Sequence, residues 1–234
     1  LRRPMINSKG ADMSILYGFT KYILELLGRE KPDYLAVAFD PPGGTFRNKM
    51  YPEYKANRKE TPQLVIDALE PLMELCKAMN IPTLMLKGFE ADDVIGSMAK
   101  RCAGEGLDVF MVTPDKDYGQ LIEPHIWQYK PGKAGNDNEI IGVKEICEKY
   151  GINSPEQVID MLTICGDTAD NVPGVKGVGE VGAGKLVAKV RTNSFTLEDY
   201  LDQIRQLGKM GSITDVLKMI PGVGSKLKDV EIDE

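Results

Sequence analysis

The sequence predicts an α/β protein built on a central, mainly parallel sheet flanked by helices. Two short apolar runs, 34–39 and 109–113, have the length and composition of buried parallel strands. Amphipathic helical stripes lie before, between and after these runs, as expected when helices cover a sheet. Both runs lead into an aspartate, at the end of a strand where open α/β sheets bind their ligands.

Length and composition fit a globular protein and give no sign of a membrane span. The 234 residues suffice for one sizeable domain with an appendage or for two small domains, and 42% of them are hydrophobic. The longest unbroken apolar run, at 35–39, falls far short of the roughly 20 residues that cross a bilayer. The net charge of −6 argues against a nucleic-acid partner, because phosphate binding usually requires a basic surface, unless the acids are gathered at a metal site.

Cysteine and histidine usage limits the kinds of metal site. The cysteines fall on apolar faces of predicted helices, without a Cys-x-x-Cys pair: Cys76, Cys102, Cys147 and Cys165. Reduced thiols of this kind are typical of the cytosol, so we expect a cytoplasmic protein. His125 is the single histidine, which excludes a site built from several histidines.

The first helix is predicted at 14–27, where apolar residues share one helical stripe, and it ends at Gly28. The strand at 34–39 follows and stops at Asp40, where a ligand of an open sheet would bind. An equally good interpretation of Asp40 is that it opens the turn at 41–44.

Basic and aromatic residues are interleaved between positions 46 and 59. Glu53 is the single acid of this segment, against five cations and three aromatic residues: Arg47, Lys49, Lys55, Arg58, Lys59, Phe46, Tyr51 and Tyr54. This mixture suits binding to a phosphate backbone and to an unstacked base. A solvated loop with a few aromatic anchors explains the composition equally well.

A cluster of acids opens the helix predicted from Asp92 onward. A long helix at 62–79 and a short strand at 83–86 precede it, and Glu90, Asp92 and Asp93 crowd its start. Acids at a helix N-terminus are favoured by the helix dipole alone, so a simple N-cap is the competing interpretation.

Repetition of this pattern favours a site over separate caps. The run 109–113 leads directly into Asp115 and Asp117, so a second predicted strand ends in carboxylates. A further strand at 126–129 and a glycine-rich surface loop at 131–138 follow.

The last acids of this kind lie in a predicted helical region that is followed by a glycine-rich turn. Helices are predicted at 142–150 and 155–165, the second burying Val158, Ile159, Leu162 and Cys165. Asp167 and Asp170 then share one face of a helical turn. Closely spaced glycines in 172–179 let backbone N–H groups approach an anion, as in a hairpin that grips a nucleic-acid backbone.

Eight carboxylates thus lie at the ends of predicted elements: Asp40, Glu90, Asp92, Asp93, Asp115, Asp117, Asp167 and Asp170. Hard divalent ions prefer oxygen ligands, and two of them can clamp the attacking and leaving oxygens of a phosphoryl transfer. Without metal, such a cluster would repel itself unless its pKa values rose. We therefore expect two Mg²⁺ or Mn²⁺ ions at these acids.

The sequence resembles the 5′-nuclease superfamily, which includes the 5′→3′ exonuclease domain of bacterial DNA polymerase I and the flap endonucleases. The matching blocks keep the family's order and spacing between about residues 5 and 181: 35–40, 45–47, 51–58, 90–93, 113–117 and 166–179. This resemblance implies a PIN-like, resolvase-like nuclease core in a bacterial, cytoplasmic protein. It also implies a polymerase domain in the parent protein.

In that family the eight acids are metal ligands, direct or through water. The resemblance makes Lys55, Arg58 and Asp115 catalytic residues, with Lys55 and Arg58 on the scissile phosphate. It implies DNA contacts for residues of two segments: Arg47, Lys49, Tyr54, Lys55, Arg58, Gly174, Lys176, Gly177 and Gly179. Tyr54 would meet a displaced base. The loop 174–179 would belong to a helix-hairpin-helix that holds duplex DNA, often with a potassium ion.

The sequence departs from the family pattern in two places. The family's first strand, which ends in Asp-Gly and supplies one more ligand, has no counterpart here, so we expect weak or absent activity. The family pattern also stops near Gly182. We therefore expect a truncated nuclease core at 1–165, a partial helix-hairpin-helix at 166–184 and a different tail at 185–234.

The tail is similar to the segment that joins the GTPase and methionine-rich domains of the signal recognition particle protein. Neither the GTPase motifs nor the RNA-binding helices of that protein are present, so no function is carried over. A second DNA-binding hairpin at 220–224 is a rival interpretation. We favour a plain amphipathic helical tail that packs on the domain or on another chain.

The expected function is that of a divalent-metal-dependent 5′→3′ exonuclease or 5′-flap endonuclease. Its partner would be DNA with 5′ ends or flaps, not a membrane. A catalytically dead DNA-binding module and a non-functional fusion of two gene fragments are the alternatives.

Overall fold

A computed structural model describes residues 4–132 and 137–191. It divides into two compact units, one of Leu1–Val143 with Asp167–Val172 and the other of Lys144–Gly166 with Pro173–Glu234. We call the first the α/β unit and the second the helical unit. The tail expected at 185–234 lies outside the described residues from position 192 onward, and the predicted surface loop 131–138 does so at 133–136.

The α/β unit alternates helices with short strands, so the predicted fold class is confirmed. Its helices and strands are, in chain order, α1 Ser14–Glu30, β1 Val37–Ala38, α2 Phe46–Met50, α3 Gln63–Ala78, β2 Thr83–Leu84, α4 Ala91–Gly104, β3 Val109–Val112, a 3₁₀ helix Lys116–Leu121, β4 Ile126–Lys130 and β5 Glu139–Ile141. The strand β5 has no counterpart in the sequence-based prediction.

The strands form two small sheets within the described residues. In one, β1 pairs in parallel with β2, matching Val37 with Thr83. In the other, β3 pairs in parallel with β4, and β4 pairs antiparallel with β5. Parallel pairing therefore predominates, as predicted, although β1 and β3 belong to separate sheets.

The two apolar runs form strands that are less buried than predicted. Only Val37 and Ala38 of the run 34–39 form a strand, and both are half-buried. In β3, Met111 is buried but Phe110 is 47% exposed. Both strands lie at the edges of small sheets, so apolar residues cover one face only, and the expectation of full burial was wrong.

The end of α1 also differs from the prediction. The helix continues past Gly28 to Glu30, and Lys31 takes the left-handed capping position with φ 48°. Its N–H donates to the carbonyl of Leu27 at 3.2 Å. A left-handed C-cap satisfies the last carbonyls of a helix, so Lys31 ends the helix where Gly28 was expected to do so.

The apolar core beneath β1 is formed by α1, α3 and the turn before β2. Ile23, Cys76 and Ile81 are its buried centre. Half-buried residues pack around them: Phe19, Leu27, Leu35, Val37, Phe39 and Met79. This packing fixes the strand that leads to Asp40.

The helical unit consists of α5 Val143–Tyr150, α6 Gln157–Cys165 and α7 Glu180–Arg191. The helices α6 and α7 pack on each other, and Val158, Met161, Ala183 and Val187 are buried. Ile159 was predicted to point inward but is 51% exposed. The helix α7 continues through residue 184, the expected end of the hairpin element, to Arg191.

All four cysteines are free thiols, and each lies in a helix as predicted. Cys76 is buried, and Cys102, Cys147 and Cys165 are half-buried. No helix in the described part of the chain is both long enough and apolar enough to span a membrane.

Candidate metal and DNA site

The eight predicted carboxylates all lie in the α/β unit. Each stands after a strand, at the start of a helix or in the segment Asp167–Val172: Asp40 after β1, Glu90 as N-cap of α4, Asp92 and Asp93 in its first turn, Asp115 and Asp117 at the start of the 3₁₀ helix, and Asp167 and Asp170 in that segment. The acids before residue 118 thus lie at element ends as predicted, whereas Asp167 and Asp170 lie in a turn closed by an Asp167–Val172 bridge and not in a helical turn.

Asp92 lies in the electric field of three of the other acids. Burial raises the pKa of its carboxyl above the usual range, and the charges of Asp115, Asp40 and Glu90 raise it further. The hydroxyl of Tyr118 donates a 2.5 Å hydrogen bond to Asp92 Oδ1, which acts in the opposite direction. Asp92 is therefore in a crowded, partly buried acidic environment.

Asp117 lies in the field of the remaining acids. Burial raises the pKa of its carboxyl to about 6, helped by the charges of Asp115, Asp167 and Asp170. Its Oδ1 atom is buried and has no hydrogen-bond partner among the described residues. A buried carboxylate oxygen without a partner is costly, so this atom needs a proton or a cation. The charge of Asp115 acts on both Asp92 and Asp117. The acids around Asp92 and those around Asp117 therefore form one electrostatically linked set of seven.

Asp93 is the acid that stands apart from this field. Arg47 binds it with both terminal nitrogens at 2.7 Å, in the two-bond geometry that carboxylates and guanidinium groups favour. Its Oδ2 also accepts the backbone N–H of Glu90 at 2.9 Å, which completes a capping box on α4. The Arg47 bond holds the pKa of Asp93 below its usual range. For Asp93, the structure has the N-cap arrangement that was the competing interpretation.

Glu90 and Asp170 are joined by side chains from the segment 51–58. Lys55 Nζ lies 2.7 Å from Glu90 Oε1 and 3.8 Å from Asp170 Oδ2. The Tyr54 hydroxyl lies 3.1 Å from Glu90 Oε2 and 2.9 Å from Asp170 Oδ2. Arg58 forms an ion pair with Asp170 through Nη2. These two acids are therefore neutralised by protein cations.

Backbone contacts fasten the same segment to the loop that carries Asp170. The Lys55 N–H donates to the Asp170 carbonyl at 2.9 Å, and Asn57 Nδ2 donates to the Thr168 carbonyl at 2.7 Å. Asn171 Nδ2 donates back to the Glu53 carbonyl at 2.8 Å. Lys55 has a left-handed backbone with φ 57°, which turns its side chain and its N–H towards these partners. Asn57 and Asn171 were not singled out from the sequence.

The pairing of acids with cations has a consequence for metal binding. Among residues 4–132 and 137–191, no group of three or more His, Cys, Asp or Glu side chains has the arrangement of a ready-made metal site. The acids are close enough to shift one another's pKa values, yet Glu90, Asp93 and Asp170 bind lysine or arginine. A divalent ion that bound Glu90, Asp93 or Asp170 would have to displace these cations.

The structure places the predicted DNA-contacting residues of 46–59 in different surroundings. Lys49 is exposed on α2, while Arg47 is held by Asp93. Tyr54 is only 8% exposed, and its hydroxyl is bonded to acids. Its ring is buried here, and its contact with a displaced base stays a prediction. Lys55 and Arg58 lie at the acids, where they form ion pairs with Glu90 and Asp170.

The predicted hairpin residues lie in the helical unit, between α6 and α7. A Cβ on Gly174 would fall 1.8 Å from the Cys165 carbonyl oxygen, so this position requires glycine for packing. Gly177 has φ 80°, a conformation that glycine adopts without strain. Lys176 is exposed, and around Gly179 a Cβ would meet nothing within 4 Å. The exposed side of the loop thus has one cation.

Comparison with known proteins gives two family matches. The model described as "5′-3′ exonuclease, N-terminal resolvase-like domain" matches residues 1–151. The model described as "5′-3′ exonuclease, C-terminal SAM fold" matches residues 153–210. The second match extends past residue 184, into the region where the sequence predicted a different tail.

Curated relatives are similar over most of the chain. DNA polymerase I of Bacillus caldotenax is 38% identical over 85% of this chain and 22% of its own length. The 5′-3′ exonuclease of Aquifex aeolicus is 35% identical over 80% of this chain and 63% of its own length. The chain thus spans about a fifth of the polymerase relatives.

Solved structures share the fold. A bacteriophage T5 5′-exonuclease with bound zinc ions has a TM-score of 0.62 at 24% identity, covering 80% of this chain and 70% of its own. The catalytic core of Rad2 in complex with a DNA substrate has a TM-score of 0.54 at 19% identity, covering 97% and 68%.

Proposed function

Because the chain belongs to the 5′-3′ exonuclease family, we propose that it is a divalent-metal-dependent nuclease that hydrolyses DNA phosphodiesters at 5′ ends and 5′ flaps. One observation supports this most strongly. Asp117 has a buried, unpartnered carboxylate oxygen in the field of Asp115, Asp167 and Asp170. Such a group is unfavourable in a purely structural role, and a cation would relieve it.

The acids of this site fit hard divalent cations. The residues proposed to hold two Mg²⁺ or Mn²⁺ ions are Asp40, Asp92, Asp115, Asp117 and Asp167, with Glu90, Asp93 and Asp170 as further ligands, direct or through water. When bound, two such ions neutralise these acids and stabilise charge on the oxygens of the phosphate that reacts.

Lys55 and Arg58 are proposed to bind the scissile phosphate. Both side chains lie beside the acids, and both are cations of the kind that bind phosphate oxygens. Arg58 is half-exposed, so the phosphate can reach it from solvent. The two cations would also balance the charge that the phosphate introduces into an acidic site.

The hairpin in the helical unit is proposed to hold duplex DNA. Lys176 is exposed, and the next residue, Gly177, has a left-handed backbone, as found in turns whose backbone N–H groups bind anions. By resemblance, the loop 174–179 would also hold a potassium ion. Arg47, Lys49 and Tyr54 complete the proposed DNA contacts, Tyr54 only after leaving its buried position.

The relatives suggest a wider setting. Similarity to DNA polymerase I favours a role in DNA replication and repair, in a bacterial cytoplasm, with a polymerase domain in the parent protein. DNA bound to the Rad2 core and the metal ions of the T5 enzyme point to the same chemistry.

The test is cleavage of a 5′-flap duplex by the purified chain with Mg²⁺ or Mn²⁺. We expect cutting that EDTA stops and that Asp115→Asn abolishes. Asp108→Asn is the matched control, since Asp108 is exposed and paired with His125 away from the cluster. Flap binding without cleavage would favour the DNA-binding module. If the chain neither binds nor cleaves flap DNA, the proposal is contradicted altogether.

A further inference from the structure

A buried glutamine lies directly behind the candidate site. Gln128 is in the middle of β4 and is 2% exposed. In the sheet register it lies between Met111 on β3 and Ile141 on β5, both of them buried and apolar. A primary amide in such surroundings is unfavourable unless it forms hydrogen bonds, so its partners show what it does there.

Both partners are carbonyl oxygens of the turn that follows β3. Gln128 Nε2 donates to the Thr113 carbonyl at 3.0 Å and to the Asp115 carbonyl at 2.6 Å. Because both atoms are acceptors, only the amide nitrogen can face them. The side chain therefore bridges the residues on either side of Pro114.

The Gln128 bridge lies where the backbone pairing of β3 with β4 ends. That pairing ends with the Thr113 N–H, which donates to the Tyr129 carbonyl at 3.0 Å. The Thr113 and Asp115 carbonyls lie beyond this bond and accept from the Gln128 amide instead. The side chain of Gln128 therefore ties the turn to β4.

The turn held in this way carries two of the candidate ligands. Asp115 Oδ1 accepts the Asp117 N–H at 3.0 Å, and Thr113 Oγ1 accepts the Asp115 N–H at 3.1 Å. These bonds are internal to the turn and do not fix it relative to the sheet. The bonds from Gln128 do.

We propose that Gln128 is a positioning residue, which sets the carboxylates of Asp115 and Asp117 for divalent-ion binding by clamping the backbone of their turn. This inference rests on the proposed metal-dependent function. The hydrogen bonds of Gln128 Nε2 go to backbone carbonyls, and the side chain takes no part in the chemistry itself. Its effect passes through the two aspartates.

The test compares two buried glutamines. Gln128→Met keeps the volume of the side chain and removes both donors. Gln157→Met is the matched control: Gln157 is also 2% exposed, and its Oε1 accepts the N–H groups of Asn153 and Ser154, but it lies in the helical unit. Mn²⁺ binding to each purified chain is measured by calorimetry. We expect Gln128→Met to weaken Mn²⁺ binding about 10-fold, the lower end of what loss of a supporting contact costs a metal site.

A second readout needs no metal. Amide hydrogen exchange in EDTA should speed up at residues 115–118 in Gln128→Met relative to the rest of the α/β unit, and not in Gln157→Met. Equal Mn²⁺ affinity of the two variants, or unchanged exchange at 115–118, would overturn the positioning role. If the wild type binds no Mn²⁺ and cuts no DNA, the proposed function fails instead, and the exchange result still decides whether Gln128 holds the turn.

Discussion

Lys55 Nζ lies 2.7 Å from Glu90 Oε1, and the backbone of Lys55 is left-handed. The same ammonium group lies 3.8 Å from Asp170 Oδ2. One lysine therefore neutralises parts of two acids that are proposed to bind divalent ions. Lys55, which is proposed to bind the substrate phosphate, thus contacts carboxylates that are proposed to bind metal.

This contact predicts that removing Lys55 tightens metal binding. Lys55→Met should lower the Mn²⁺ dissociation constant roughly 3- to 10-fold, because the acids lose a competing positive charge at close range. Flap cleavage should fall at the same time, since the phosphate loses a ligand. Titration calorimetry and a cleavage assay measure the two effects.

Lys49→Met is the control for this change in charge. Lys49 is exposed on α2, so the substitution removes the same charge without freeing an acid of the cluster. If both variants bind Mn²⁺ equally, the Lys55 contact does not compete with metal.

Asp117 predicts a pH dependence of stability in EDTA. Its pKa is raised to about 6 from 3.8, so the folded protein resists ionising this group more than the unfolded chain does. The resulting penalty is absent below about pH 3.8, grows as the pH rises to 6 and is complete above it. Asp117→Asn removes the ionisation and should stabilise the fold at pH 8 by about 1 kcal/mol, allowing for solvent screening of a partly exposed group.

Urea unfolding of wild type and Asp117→Asn at pH 8 and pH 4 measures this difference. The advantage of the variant should be present at pH 8 and nearly gone at pH 4. An advantage of the same size at both values would mean that ionisation of Asp117 is not its cause.

The Tyr118 hydroxyl predicts a second effect on stability. Tyr118 is buried, and its hydroxyl is 2.5 Å from Asp92 Oδ1. Tyr118→Phe leaves a half-buried carboxylate without this donor and should cost about 1–2 kcal/mol in chemical unfolding at pH 8. Tyr17→Phe, at an exposed position of α1, should be near neutral. Equal effects of the two substitutions would show that the Asp92 bond contributes nothing.

The hairpin predicts different effects for two of its glycines. Gly174→Ala places a Cβ 1.8 Å from a backbone carbonyl and should destabilise the protein by roughly 2–4 kcal/mol. Gly179→Ala meets open space and should leave the melting temperature nearly unchanged. A thermal melt of each variant decides between them. If Gly174→Ala melts like the wild type, the loop is not packed as described.

Local sequence patterns predicted most helices but located strands and helix ends less well. The stripes of α1, α3 and α4 are periodic and were correctly assigned. The strand β5 was missed because it is only three residues long, Glu139–Ile141, which is too short to show an alternating or continuous apolar pattern. The end of α1 was misplaced because a left-handed cap can be formed by Lys31 as well as by glycine.

The sequence indicated which carboxylates form the candidate site, but not which side chains form ion pairs or hydrogen bonds with them. Carboxylates after strands and at a helix start can be recognised in the sequence, because the ends of strands and helices are marked by local residue patterns. The Arg47–Asp93 and Tyr54–Asp170 contacts join residues 46 and 116 positions apart, and only the tertiary fold brings them together. Gln128 carried no signal, since a single polar residue in a strand is ordinarily surface-exposed.

Besides the roles of the site residues and the domain bounds, the reduced activity and the origin of the tail stay predictions. Reduced activity is tested by the flap-cleavage assay described above. The signal recognition particle resemblance of the tail concerns residues that lie mostly outside the described part of the chain, and residues 185–210 fall within the match to the C-terminal SAM fold.

The most direct test of the central claim is anomalous diffraction from crystals of the wild-type chain soaked in Mn²⁺. The account predicts anomalous peaks at the carboxylates of Asp115 and Asp117 and their neighbours, with Lys55 displaced from Glu90. Absence of manganese from these acids at saturating concentration, with the Lys55–Glu90 pair intact, would contradict it.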